Sequence, residues 1–298
     1  MIYNNFEGVR SSFVKNLLLV LICFLSSNVF AQVGVEQWRS HLPMSRFDWV
    51  GELVDGVYGA NTFGVIAYDR EDGSIQDLTK INVLSQTGIS HFACSYEDGR
   101  CIIGYENGNL DIIDAEGNVT NQPAIVTSNI IGDKAVRDIF FYQGSAFLAT
   151  GIGVLELDLT TYNVNEYSQI TYQEENIQLN QILIHRDTLF LTSPFHVFAI
   201  PMASLFIGPQ LWEVNTNRDP NRFKQLFLID EDLYAIYSND DFGKDTLFQL
   251  VDNAFVPIDP LAGLELRHVE QVGDLLLIAQ SDEVSSYSKS FQQLQKIF

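Results

Sequence analysis

Apolar residues in this chain come in runs of five or six, each about one strand long and each closed by a turn. Almost no stretch keeps a helical spacing, so the pattern predicts strand after strand. The runs recur. The clearest are "VYGAN" from 57, "CIIGYE" from 101, "AFLATG" from 146, "LFLTSP" from 189, "LYAIYS" from 233 and "LLLIAQ" from 275, with starts 44, 45, 43, 44 and 42 residues apart. Tight turns are expected before them at Asp55–Gly56, Asp98–Gly99, Gln143–Gly144, Arg186–Asp187, Glu231–Asp232 and Gly273–Asp274.

Another strand precedes each marker, as in "VRDIFFY", and a third follows, as in "GVLELDL". A more polar fourth, such as "SIQDLTK", closes the unit. A single sheet of this kind cannot bury both faces, but radial stacking can. The fold class is therefore all-β, a β-propeller of four-stranded antiparallel blades with six full blades. A sandwich does not explain so regular a period, and a β-helix needs a shorter one. "VEQWRSHLP" (35–43) stands where an extra fourth strand belongs, and its Trp38 echoes Trp212 in "QLWEV". The expected ring is thus seven-bladed, with six blades and an orphan strand. The inner strands of its seventh blade would come from sequence after Phe298. A chain with such a gap is expected to pair through its open blade faces.

The first 31 residues read as a signal peptide: Arg10 and Lys15, the apolar run "NLLLVLICFLSS", then Val29 and Ala31 before cleavage at Gln32. Cys23 follows Ile22, a poor context for lipoprotein processing. The remaining 32–298 form the propeller. Two cysteines stay in the exported chain. With a two-residue loop at Asp98–Gly99, Tyr96 would face Cys101 and Cys94 would face Ile103, leaving the cysteines diagonal. Two buried thiols are the expectation, with a disulfide the lesser alternative.

The net charge of −21 repels phosphate, which excludes nucleic acid as a partner class. No nucleophile elbow, zincin motif or phosphate loop occurs, and no cofactor is expected. His91, His185 and His268 fall on first strands, which line a propeller's channel, but at differing offsets, so channel lining is favoured over a metal site. Asp240, Asp241 and Asp245 in "SNDDFGKD" lack calcium-loop spacing and are expected to be a solvated acidic loop. "NTFG", "ENGN" and "TGIG" share one column and read as turn chemistry. The loops joining second to third strands open on one end of the ring. They carry Phe63, Tyr105, Asn107, His196, Asp241 and Phe242 as a candidate ligand face, with rings and amides suited to carbohydrate or peptide.

Residues 56–90, "GVYGANTFGVIAYDREDGSIQDLTKINVLSQTGIS", resemble the two-component-regulator type of propeller repeat. "QWRSHLP" (37–43) and "IIGDKAVRDIFFYQGSAFLATGIGVLELDL" (130–159) narrow the resemblance to the N-terminal propeller of the PorZ family of the type IX secretion system of Bacteroidota. That resemblance implies a non-enzymatic outer-membrane component on the cell surface. It implies partners similar to PorU, PorV and PorQ, and a role in presenting anionic lipopolysaccharide for cargo attachment. It also implies a second propeller and a C-terminal domain. Cell-surface location follows if the gene continues past Phe298, and a periplasmic one if it does not. The same repeat builds the periplasmic glycan-sensing propellers of hybrid two-component systems, which is the alternative reading.

Overall fold

The computed structural model describes residues 43–44, 46–193, 196–214, 223–239, 245–258, 261, 263–280 and 283–297. Blade 1 contains β1 (Trp49–Glu52), β2 (Gly56–Asn61), β3 (Gly64–Asp69) and β4 (Ile75–Thr79). Blade 2 contains β5 (Ile89–Ser95), β6 (Arg100–Tyr105), β7 (Leu110–Ile113) and β8 (Val119–Gln122). Blade 3 contains β9 (Val136–Tyr142), β10 (Ser145–Thr150), β11 (Val154–Asp158) and β12 (Val164–Ser168). A small extra hairpin, β13 (Thr171–Tyr172) and β14 (Glu175–Asn176), leads into blade 4. That blade contains β15 (Gln181–His185), β16 (Thr188–Thr192), β17 (Val197–Pro201) and β18 (Trp212–Glu213). Blade 5 contains β19 (Phe223–Ile229), β20 (Asp232–Ser238), β21 (Asp245–Val251) and β22 (Ala254–Ile258). Blade 6 contains β23 (Leu266–Val272), β24 (Leu275–Gln280), β25 (Val284–Ser288) and β26 (Gln293–Lys296). Every blade is an antiparallel meander in sequence order.

The middle strands are buried on both faces because each blade is covered by its neighbours; β6 and β10 are buried at every position after the first. The outer strands face water on one side and are polar, as in fully exposed β26. Five apolar seams join successive blades. Between blades 1 and 2, Tyr58, Ala60 and Val65 meet Phe92, Cys101 and Ile103. Between blades 5 and 6, Phe227 and Ile236 meet Val269, Leu276 and Ile278. Among the described residues no such cluster joins blade 6 to blade 1. The orphan strand expected at 35–43 lies outside the described residues except for Pro43, which is not in a strand.

Local chemistry sets the hairpins. Arg186 and Asp187 both take positive φ (49° and 56°), as the two-residue turn between β15 and β16 requires. In blades 1 and 5 the turn sits one residue earlier than expected, at Val54–Asp55 and Asp230–Glu231, because Leu53 pairs with Gly56 and Ile229 with Asp232.

Blade 2 corrects the reading of the cysteines. Its hairpin has four loop residues, Tyr96–Gly99, and not two. Ser95 Oγ donates to Asp98 Oδ2 at 2.6 Å and accepts from the Asp98 backbone N–H at 3.2 Å, which stabilises the longer loop. The register then places Cys94 directly opposite Cys101, with Cα atoms 4.0 Å apart, and the two form a disulfide. Buried thiols are therefore ruled out by a register that the two-residue loop would not produce. Asp245 also departs from expectation. It is buried, not solvated. Its Oδ2 accepts from Lys224 Nζ at 2.8 Å and from the Leu266 backbone N–H at 2.7 Å, tying blade 5 to blade 6.

Candidate ligand face and channel

The described links between second and third strands lie at one end of the ring because every blade has the same meander order. Their turn chemistry is explicit. Asn61 Oδ1 accepts from the Phe63 N–H at 2.9 Å, and Asn61 Nδ2 donates to the Pro43 and Arg46 carbonyls at 2.9 Å each. Asn107 Oδ1 accepts from the Asn109 N–H at 3.0 Å, and Thr150 Oγ1 accepts from the Gly153 N–H at 3.1 Å. These side chains close their own loops.

Of the six residues expected on the ligand face, Phe63 and Asn107 are exposed and His196 is half-buried. Tyr105 is fully buried, with its hydroxyl donating to Asp111 Oδ2 at 2.6 Å. Burial first, then the hydrogen bond to Asp111, pushes the phenol far above its ordinary value. Tyr105 is the last residue of β6, and β-strand alternation directs it into the seam with blade 1. Asp241 and Phe242 lie outside the described residues. The described face residues are spread over blades 1, 2 and 4.

His196 does gather a cluster of its own. Its Nδ1 lies 3.1 Å from Glu213 Oε1, and the Tyr172 hydroxyl donates to Glu213 Oε2 at 3.2 Å. The Tyr172 ring is 4.8 Å from His196 and 5.0 Å from Phe198, centroid to centroid. The extra hairpin β13–β14 supplies Tyr172, and β18, paired with β17, supplies Glu213. Sequence reading missed both. An aromatic wall beside a carboxylate and an imidazole offers a sugar ring one stacking face and both donors and acceptors.

A second set lines the channel. Trp49, His91, Asp138, Gln181, Gln225 and His268 hold the same register on the six first strands, each opposite the corresponding residue of the second strand. Three of them reach across to the next blade. Asp138 Oδ2 accepts from the Ile182 N–H at 2.9 Å, Gln181 Oε1 from the Leu226 N–H at 3.2 Å, and Gln225 Oε1 from the Val269 N–H at 2.9 Å. His91 and His268 thus share a level, whereas His185 sits four residues further along and contacts the Glu231 carbonyl at 2.5 Å. Among the described residues no group of three or more His, Cys, Asp or Glu side chains is arranged to hold a metal.

Residues 57–193 match the family model of the type IX secretion PorZ N-terminal β-propeller domain. No curated protein sequence matches the chain. Among solved structures, PorZ of Porphyromonas gingivalis, described as an essential bacterial surface component of the type IX secretion system, superimposes with a TM-score of 0.67 at 18% identity. The match covers 83% of this chain and 32% of that one, so the chain spans about a third of the length of that protein. The WD40 repeats of RRP9 align with a TM-score of 0.54 at 12% identity, covering 81% of this chain and 77% of that one. The extracellular domain of a one-component system from B. thetaiotaomicron aligns with a TM-score of 0.51 at 12% identity, covering 87% and 42%. At such identities the structural likenesses establish the propeller fold. Over its first four blades, residues 57–193, the chain is similar to the PorZ N-terminal β-propeller.

Proposed function

We propose that this chain is a non-enzymatic cell-surface component of a type IX secretion attachment complex, supporting the joining of cargo to anionic lipopolysaccharide. The observation that carries this reading is the PorZ-type family match over residues 57–193. The absence of any legible nucleophile–base pair in the sequence supports a binding role. Partners similar to PorU, PorV and PorQ would dock on it. Two features of the fold stay within the proposal: a seventh blade closing the ring, and export directed by residues 1–31.

A net charge of −21 opposes a polyanion, so an anionic glycolipid would be gripped through its sugars and not its phosphates. The Tyr172, His196 and Glu213 cluster suits that mode of contact. Deleting the gene in a bacterium that uses type IX secretion is the primary test. Cargo left unattached or unprocessed is the expected result, and normal attachment would refute the proposal. Purified protein should also bind the extracted lipopolysaccharide, and Tyr172→Phe with Glu213→Gln, which keep the packed rings, should weaken that binding.

A further inference from the structure

At the opposite end of the ring from the ligand face, the turns of blades 1 and 2 enclose a cavity of about 170 Å³. Asp55, Asp69 and Glu116 stand on its rim, and Tyr58, Ala67 and Gln76 line its walls. Asp69 already accepts the Glu71 and Asp72 N–H groups through Oδ1, bracing its own turn. Asp55 and Glu116 are exposed, and among the described residues neither carboxylate has a cationic partner; the nearby Arg70 is turned to Glu52. No lysine, arginine or histidine lines the cavity.

An acidic rim alone would be a solvated surface. Tyr58 changes that. The residue is only 8% exposed, it lines the cavity, and among the described residues its hydroxyl makes no hydrogen bond. Its ring passes over the Gly56 turn, toward the rim. Burial, then the Asp55, Asp69 and Asp114 carboxylates, push the phenol above its ordinary value, so the hydroxyl stays protonated and neutral. Blades 3 and 4 place Phe147 and Phe190 at the same register as Tyr58, and blade 5 places Tyr234, so an aromatic ring fills this level with or without a hydroxyl.

We propose that this inter-blade cavity is a binding site for a protonated alkyl amine, presented as a lysine side chain of a protein partner or as a free polyamine. The ammonium would sit between Asp55 and Glu116 and donate to the Tyr58 oxygen. Its methylenes would lie along the Tyr58 ring, where a cation is also attracted by the aromatic face. An anionic ligand is excluded by three carboxylates within one small opening. This inference does not depend on the proposed function.

The test is an NMR titration of tyrosine-labelled protein with three probes: Nα-acetyl-lysine methylamide, its norleucine analogue and spermidine, each at low and high salt. A calcium chloride titration runs in parallel. The lysine probe or spermidine should shift the Tyr58 ring signal, with the tighter of the two identifying the source of the amine. The norleucine analogue should produce no shift. Asp55→Asn with Glu116→Gln should weaken binding at least ten-fold, and Tyr58→Phe about three-fold. Both rim residues are exposed, so the melting temperature should not move, and thermal denaturation checks this. Equal binding by the norleucine analogue, unchanged affinity in the rim variant, no response at Tyr58, or saturation of the site by calcium in preference to the amines would each overturn the proposal.

Discussion

His91 Nε2 lies 3.2 Å from Asp138 Oδ1 across the channel side of the seam between blades 2 and 3. The side chains keep only 18% and 21% of their surface accessible. Burial depresses the imidazole to about 4 and raises the carboxyl to about 7. The pair therefore holds one proton through most of the acidic range.

That arrangement has a pH signature. Asp138 binds its proton more tightly when folded, so its contribution is present at low pH and is lost as pH rises from about 4 through about 7. His91 binds its proton less tightly when folded, so its contribution grows as pH rises from about 4 to 6.5. The two slopes cancel over that interval, leaving only the Asp138 loss above it. Asp138→Asn removes the falling arm. Urea unfolding at several pH values should show the stability of the variant relative to the parent increasing from pH 4 to 7, by up to about 1.4 kcal/mol per pH unit. Parallel curves would show that the pair does not titrate this way.

Non-reducing peptide mapping should recover Cys94 and Cys101 in one cross-linked fragment. The loop it closes is short, so Cys94→Ala with Cys101→Ala should cost about 2–3 kcal/mol of stability in chemical denaturation. Recovery of both peptides as free thiols from oxidised material would contradict the paired register.

Gly51 of blade 1 packs flat against that disulfide. A Cβ built there would come within 2.5 Å of Cys94 Sγ and 2.8 Å of Cys94 Cβ. Gly51→Ala should therefore destabilise the protein by about 1–3 kcal/mol through overpacking. In the cysteine-free double variant the penalty should shrink, since alanine removes the sulfur it strikes. An equal penalty in both backgrounds would locate the clash elsewhere.

Asp111 is a fully buried carboxylate that accepts from the Tyr105 hydroxyl at 2.6 Å, the Ser85 N–H at 2.8 Å and Asn121 Nδ2 at 2.9 Å, as well as from the Ser85 hydroxyl. Asp111→Ala strands these donors and should cost about 3–5 kcal/mol, read as a lowered unfolding midpoint. Tyr105→Phe removes one donor and should cost about 1–2 kcal/mol. A neutral Asp111→Ala would mean that water replaces the carboxylate.

Val50, Tyr68 and Ile75 share the face of blade 1 turned away from blade 2, and Val50 is 69% exposed. Val272 and Leu275 are paired on the outward face of blade 6. Sedimentation should show the chain self-associating as concentration rises, and Val50→Lys with Ile75→Lys should reverse it. A strictly monomeric parent would argue that these faces need no cover.

The meander, the six repeats and the polar outer strands were legible in the sequence because they depend on near neighbours. Alternation sets which side chains face which way, and residues able to take positive φ set where the chain turns. Arg186–Asp187 turned where its residues said it would. The sequence could not reveal the partner of each inward side chain. One loop, held four residues long by Ser95 and Asp98, shifted the register so that Cys94 met Cys101. Tyr105 sits in an exposed-looking link yet points into a seam, because strand alternation carried its direction past the apparent loop boundary. Tyr172 and Glu213 join His196 only when an inserted hairpin folds over blade 4, and the Tyr58 cavity exists only where two blades stack. Such contacts join residues far apart in the chain, and their geometry is set by the packing angle between sheets, which no short stretch of sequence encodes.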